Sequence, residues 1–292
     1  NSSIKSFIFN SKMRKYDSAL EASLKPNDIP LEVYNNAINT INKNLDSLHR
    51  YVRVKKKLLG LEEIHMYDLY VPVIDTPKEI IEYEKAVGIV KEGLQPLGKE
   101  YLDIFEEGIK EGWIDVYENK GKRGGAYSWG SYDTMPYVLL NYNYQLNDVS
   151  TLAHEMGHSI HSYYSRKNQP YIYADYTLFC AEVASTTNES LLINYLINKE
   201  KDENKKLYLI NQELEQIRTT VFRQIMFAEF EKTTHELIEN GNPLTAKDLC
   251  NIWHELNVKY FGKDMIVDCE IDMEWARIPH FYSDFYVYQY AT

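Results

Sequence analysis

The chain has 292 residues, enough to bury a substantial core as one large domain or two small ones. A hydrophobic content of 44 % with only nine prolines excludes a disordered chain and suits long helices. A formal charge of −11 argues against nucleic acid, whose backbone is recognised by a basic face, and no apolar run reaches membrane-spanning length.

Taken in chain order, residues 16–22 read as a short helix and 25–30 as a turn. Pro30 and Leu31 open a long helix with Val33, Ala37, Ile38, Ile41, Leu45 and Leu48 at helical spacing, running on to a stop near Gly60. Arg50, Arg53 and the lysines at 55–57 form a basic patch on it, either a solvated face or an attractor of peptide carboxylates. Residues 67–73 read as extended ahead of Pro77, and helices follow from Lys78 to about Lys91 and from about Pro96 to Gly112. Residues 113–142 change character. Strand-like stretches at 114–117, 126–132 and 137–140, with a turn over 119–125, predict a small antiparallel sheet. Gly124, Gly125 and Gly130 suit its turns and bulges.

From residue 175 onward the pattern is almost wholly helical, over 175–198, 202–239 and 245–260, with Thr245 and Asp248 forming a capping box for the last. Of Glu229 and Glu231, one is expected at the surface and the other in a buried pair. Tyrosines number 25 against 10 Phe, which suits half-buried helix packing for most and an aromatic-lined groove for some. Cys180, Cys250 and Cys269 are widely spaced and read as thiols of a reducing, cytoplasmic compartment.

The chemistry concentrates in residues 151–161, which carry His-Glu-x-x-His at 154–158 on a helix expected over 148–164, with Asn147 and Asp148 as candidate caps. Residues four apart share a helix face, so His154 and His158 can hold one zinc ion while Glu155 reaches its water as general base. A third protein ligand is required. His161 lies one turn further on, but three successive turns sweep past a point, and Glu182 is the better candidate. It is a carboxylate inside an apolar helical run, where an unpaired charge is costly unless it meets a metal or a cationic side chain. Each ligating imidazole also needs a partner for its other nitrogen, and Glu189, seven residues beyond Glu182, is the choice for that role.

His-Glu-Met-Gly-His-Ser-Ile-His followed by Glu182 resembles the thimet oligopeptidase family of zinc metallopeptidases. Residues 173–182, 223–231 and 278–292 resemble in particular its bacterial oligoendopeptidase F group. The resemblance runs essentially end to end. It implies a mainly α, zincin-like fold of long helices with the small antiparallel sheet beside the zinc helix. Residues 1–112 would form part of a channel wall, and residues 113–292 the catalytic region, with the sheet at 113–142, the zinc helix at 148–164 and the Glu182 helix at 175–198. It implies one peptidase unit per chain, one Zn2+, short peptides as substrates, and a further N-terminal half absent from this sequence. From the tail it implies that His280 and a pair of tyrosines from Tyr282, Tyr286 and Tyr290 reach the substrate, with Tyr288 an alternative. The three would share a face if the tail were helical. Zinc carboxydipeptidases share the helical plan and stay open as a rival, with Arg277 as their carboxylate clamp, as does a peptide-binding fragment of low turnover.

Overall fold

The computed structural model describes residues 1–74 and 79–291. In chain order its longer elements are α1 (Ser2–Met13), α2 (Ala19–Leu24), α3 (Leu31–Lys43), α4 (Leu45–Leu59), β1 (Ile64–His65), α5 (Tyr83–Gly93), α6 (Lys99–Lys110), β2 (Ile114–Asp115), β3 (Tyr127–Trp129), β4 (Tyr137–Leu139), α7 (Leu146–Asn168), α8 (Leu178–Lys199), α9 (Glu203–Ile217), α10 (Arg223–Glu239), α11 (Ala246–Phe261) and β5 (Met265–Ile266). The fold is mainly α with long helices, as expected, and carries two very small sheets where one was expected. The chain divides into two compact units, one of Asn1–Val73 with Leu214–Ala291 and one of Ile74–Glu213. These divisions fall at 73 and 213, whereas the functional regions read from the sequence meet at 112.

The discontinuous unit packs α4, α10 and α11 around Trp253, which is fully buried among Phe227, Phe230 and Phe281. Its helices depart from the expected ones in identifiable places. The long helix from residue 31 breaks at Asn44, whose side chain donates to the Thr40 carbonyl and so competes with the backbone ladder. Gly60 then ends α4 in the left-handed conformation that glycine adopts at no steric cost. The segment expected to be extended is instead a 3₁₀ turn, Met66–Tyr70, because Asp68 accepts the His65 N–H and Leu69 is buried. The Pro77 and Lys78 features lie outside the described residues. The helix expected over 202–239 is interrupted by a π turn, Arg218–Phe222, where the Thr219 and Thr220 hydroxyls donate to the Glu215 and Gln216 carbonyls. Lys55 leaves the basic patch altogether. It is 3 % exposed and donates to the Leu69 carbonyl and to Glu215, and burial, then the nearby Arg218, lowers its pKa to about 8.

The continuous unit is organised by α7. Val149, Leu152, Ala153, Met156 and Ile160 form a fully buried stripe, packed with Trp113, Val138, Phe105, Val90 and Leu192 from the surrounding elements. Asp148 does cap α7, but from its third position. It accepts the N–H groups of Gln145 and Asn143, so Gln145 is the cap residue and Asn147 lies inside the helix. The sheet is mixed, in the order β2-β4-β3, rather than antiparallel throughout. The chain from β3 turns back directly into β4, giving an antiparallel pair, whereas β2 joins the far edge of β4 in parallel. The capping box at Thr245 and Asp248 forms as expected.

Glu229 and Glu231 of α10 both have partners. Glu229 bonds Lys259, Tyr260 and Asn42. Glu231 is 2 % exposed and accepts the Phe285 N–H at 3.1 Å, while its other oxygen has no partner among the described residues. Burial pushes the Glu231 pKa well above its ordinary 4.5, against the pull of the Phe285 amide. The folded protein therefore holds more protons than the unfolded chain between about 4.5 and the raised value, so stability is greatest below that window and falls as pH rises through it. Glu231→Gln keeps the Phe285 hydrogen bond without a charge to desolvate. Its midpoint of thermal unfolding should exceed that of the wild type at pH 8 and converge with it near pH 4. A constant difference across that range would remove Glu231 as the source.

Candidate metal centre

The centre is built between α7 and α8. A Cβ on Gly157 would lie 2.8 Å from the Ser185 Cα and 2.9 Å from the Ala184 carbonyl oxygen, so only glycine lets the helices approach this closely. One turn away the buried Asn188 fixes their register. Its amide donates to the Ala153 carbonyl at 2.9 Å, and it accepts from the Tyr101 hydroxyl at 3.0 Å. These contacts set Glu182 opposite His158, and Glu189 opposite His154.

His154 Nε2 and His158 Nε2 each lie 3.8 Å from Glu182 Oε2, and one ligand atom from each of the three residues falls within 4.8 Å of the others. Among the described residues this is the cluster of His, Cys, Asp and Glu able to hold a metal ion. Ligands about 2.0–2.1 Å from a tetrahedral zinc stand roughly 3.4 Å apart, close to the spacing found. His161 lies outside the cluster. Its ring stacks on Tyr176 at 3.7 Å, and the Tyr176 hydroxyl shares a 2.6 Å hydrogen bond with Ser162.

The protonation chemistry fits a metal as well. Burial lowers the His158 pKa to about 4, helped by His154 and His161, so its lone pair is free at neutral pH. His154 Nδ1 meets Glu189 Oε2 at 2.9 Å, which fixes the tautomer and turns Nε2 toward Glu182. Burial pulls the His154 pKa down, but Glu189, with Glu155 and Glu182, outweighs it and the net shift is upward. Ser185, fully buried, donates to Glu182 Oε2 at 2.9 Å and holds that carboxylate in place. Two imidazoles and one carboxylate form the donor set of a single zinc site with an open position.

Glu155 is 6 % exposed, and its Oε2 has no partner among the described residues. Burial raises its pKa to about 7. His154 opposes the rise, Glu182 and Glu189 add to it, and the Ser128 backbone N–H draws it down. The link to Ser128 follows from the sheet. Val138 donates its N–H to the Trp113 carbonyl on the β2 side, so the alternation of an antiparallel ladder turns the main-chain groups of Tyr137 and Leu139 toward β3. Their partners Trp129 and Tyr127 face inward, and the N–H and C=O of Ser128 face the open edge beside Glu155. Side chains bind the same edge to α7: Ser159 donates to the Glu155 carbonyl at 2.9 Å, and Ser128 and Ser159 share a 2.8 Å hydrogen bond.

The tail residues belong to the other unit. The tail is not one helix: 3₁₀ turns at Pro279–Tyr282 and Val287–Ala291 flank Phe285, whose φ of +50° interrupts the run. His280 stacks on Tyr286 with centroids 5.6 Å apart, Tyr290 closes on both rings, and the two tyrosine hydroxyls lie 2.8 Å apart. Tyr282 is 63 % exposed and outside that ring cluster, so the shared face expected of a helix does not form. Tyr288 is buried, 4.9 Å from Tyr34. Sequence reasoning passed over Ser128, Ser159, Ser185 and Asn188. Ser185 and Asn188 lie in an unbroken polar run over 185–190, so no local pattern marked any of the four.

The model of peptidase family M3 matches residues 4–292. Oligopeptidase PepF of Bacillus subtilis is 54 % identical over 289 residues, covering 99 % of this chain and 43 % of its own length. The chromosomal oligoendopeptidase F of Lactococcus lactis subsp. cremoris is 47 % identical, with coverages of 99 % and 48 %. Among solved structures, one from Chlamydophila abortus superposes with a TM-score of 0.92 at 43 % identity, over 99 % of this chain and 48 % of that one. The oligoendopeptidase-F of Enterococcus faecium superposes with a TM-score of 0.75 at 39 % identity, over 99 % and 44 %. The chain thus spans about half the length of the relatives it matches.

Zinc titration with a competing chelator checks the ligand set. Glu182→Ala should weaken zinc binding more than a hundredfold, and Glu189→Gln about 10- to 100-fold, as loss of an outer partner does. His161→Ala should stay within a fewfold of the wild type. An inverted ranking of Glu182 and His161 would refute this assignment.

Proposed function

Because the chain belongs to peptidase family M3, we propose that it carries the catalytic machinery of a zinc-dependent endopeptidase acting on internal bonds of short, unstructured peptides. One observation carries the reading: beside the His154–His158–Glu182 cluster, the next residue of the same helix, Glu155, is a buried carboxyl group with one oxygen that has no hydrogen-bond partner among the described residues. When bound, zinc supplies a Lewis acid that polarises water and the scissile carbonyl. Glu155 takes the proton from the attacking water and returns it to the leaving amine, a task suited to a carboxyl group poised near 7. Glu189 keeps the His154 imidazole oriented, and Ser185 does the same for Glu182. Peptide backbone adds to the edge of β3 as a further strand, which tolerates varied side chains.

His280, Tyr282, Tyr286 and Tyr290 are proposed as the donors that steady the developing oxyanion, on the strength of the resemblance and of the phenol and imidazole chemistry. The same proposal includes residues 1–112 as part of a channel wall, residues 113–292 as the catalytic region, and a further N-terminal segment as partner to both. No helix among the described residues is long and apolar enough to cross a membrane. A cytoplasmic site of action is supported by three free thiols. Dipeptide release from a free C-terminus is less well supported. Its clamp, Arg277, shares the single Glu274 Oε1 with Arg223, both at 2.5 Å, and is not an uncommitted cation.

Glu155→Gln should bind zinc stoichiometrically while turnover falls at least 10²- to 10⁴-fold, the usual contribution of a general acid–base group. Metal analysis and a quenched fluorescent peptide measure the two, and a fully active, zinc-loaded Gln variant would refute the role. Substrate class is read by mass spectrometry of a digest containing an end-blocked peptide of about a dozen residues and a folded domain. The blocked peptide should be cut internally and the domain left intact, since threading it costs its unfolding free energy of roughly 5 to 15 kcal/mol. Cleavage only after the end block is removed would favour the dipeptidase.

A further inference from the structure

The two faces of the small sheet differ sharply in chemistry. On the face toward α7, Val138 is 2 % exposed in the core, and Ser128 is tied to Ser159. The opposite face carries Tyr127 at 51 %, Trp129 at 67 % and Tyr137 at 49 % exposure. Trp129 and Tyr137 are directly paired across β3 and β4, and Tyr127 follows two residues before Trp129 on the same face. The three rings thus share one face of the sheet, beside the edge where the main chain of Ser128 is open. Tryptophan is usually well covered in folded proteins, and three large rings left in water on so small a sheet mark a binding surface.

Position along the edge says what would cover it. Ser128 shares a 2.8 Å hydrogen bond with Ser159, whose hydroxyl donates to the Glu155 carbonyl at 2.9 Å, so the middle of β3 stands beside Glu155 and the bond under attack lies level with Ser128. A peptide strand laid beside β3 has side chains that alternate between the faces in step with those of β3. Its residue level with Ser128 turns toward α7. Its neighbours on either side, level with Tyr127 and Trp129, turn their side chains onto the rings.

We propose that Tyr127, Trp129 and Tyr137 determine substrate specificity, favouring large apolar or aromatic side chains at two peptide positions two residues apart that bracket the residue level with Ser128. The proposal rests on the peptidase reading and adds to it a rule of side-chain selection. Apolar contacts of this size discriminate by roughly tenfold, enough for a preference and far short of strict sequence recognition.

The test uses end-blocked, quenched peptides of one length that differ only by Phe, Leu or Gly at each position around a single cut site. With the zinc-loaded protein, kcat/KM should favour Phe and Leu over Gly about tenfold at two positions spaced by two. In Trp129→Ala the Phe-to-Gly ratio at one of those positions should drop to about twofold, and Trp129→Phe should restore most of it. Equal loss on every peptide would mean that Trp129 only supports the fold, and an unchanged ratio in both Trp129→Ala and Tyr127→Ala would overturn the proposal. Calorimetric binding of the same peptides to zinc-loaded Glu155→Gln separates the two layers. A Phe-over-Gly ranking that persists without any turnover in the parent protein would fault the peptidase reading alone. Equal affinities would overturn the aromatic surface.

Discussion

Everything at the metal centre depends on how closely α7 and α8 approach at Gly157. The zinc ligands come from two helices, and neither helix alone can bring three donors to a point. Gly157 removes the one side chain that would hold the helices apart, and Asn188, gripping the Ala153 carbonyl, prevents a sliding error of one residue. Such a slip would rotate Glu182 by about 100° away from the imidazoles. The register is thus fixed by neutral groups that never meet the metal, which leaves the charged ones free to serve it.

Those charged groups are in mutual conflict without a cation. Glu155, Glu182 and Glu189 stand around two imidazoles in a half-buried pocket; burial, reinforced by the other two carboxylates, raises the Glu155 pKa to about 7, and burial with the neighbouring imidazoles lowers that of His158 to about 4. A divalent ion reverses the sign of the local field. It neutralises the crowding of carboxylates and uses the lone pair that His158 keeps free. Crowding that would be a defect in an ordinary core is here the affinity for the ion.

Much of this was legible in the sequence because it follows short-range rules. His154 and His158 are one helical turn apart, and Glu182 stands out as a charge in an apolar run. Glu189 repeats after two turns on the same face, and it does meet His154. What the sequence concealed was set by competition between local and distant partners. Asn44 ends a helix by bonding its own backbone, Thr219 and Thr220 open a π turn, and Asp68 curls a stretch that reads as extended. The mixed sheet was hidden for another reason: alternation over two or three residues predicts a strand but says nothing of its neighbour. The tail misled most. Tyrosines spaced by four suggested a helical face, but the left-handed Phe285, held by the buried Glu231, leaves only short 3₁₀ turns and sets Tyr282 outside the cluster of Tyr286 and Tyr290.

The discontinuous unit has a temporal meaning. Its first piece, residues 1–73, and its second, residues 214–291, are separated by the 140 residues of 74–213. At ribosomal speeds of about 5 to 20 residues per second, the first piece waits roughly 7 to 28 s before its partners α10 and α11 are synthesised. During that interval the apolar faces of α3 and α4 have no Trp253 or Phe230 to cover them. The continuous unit, by contrast, is complete as soon as its last helix emerges. During synthesis the first piece therefore waits for the second behind a unit whose own contacts are continuous in sequence.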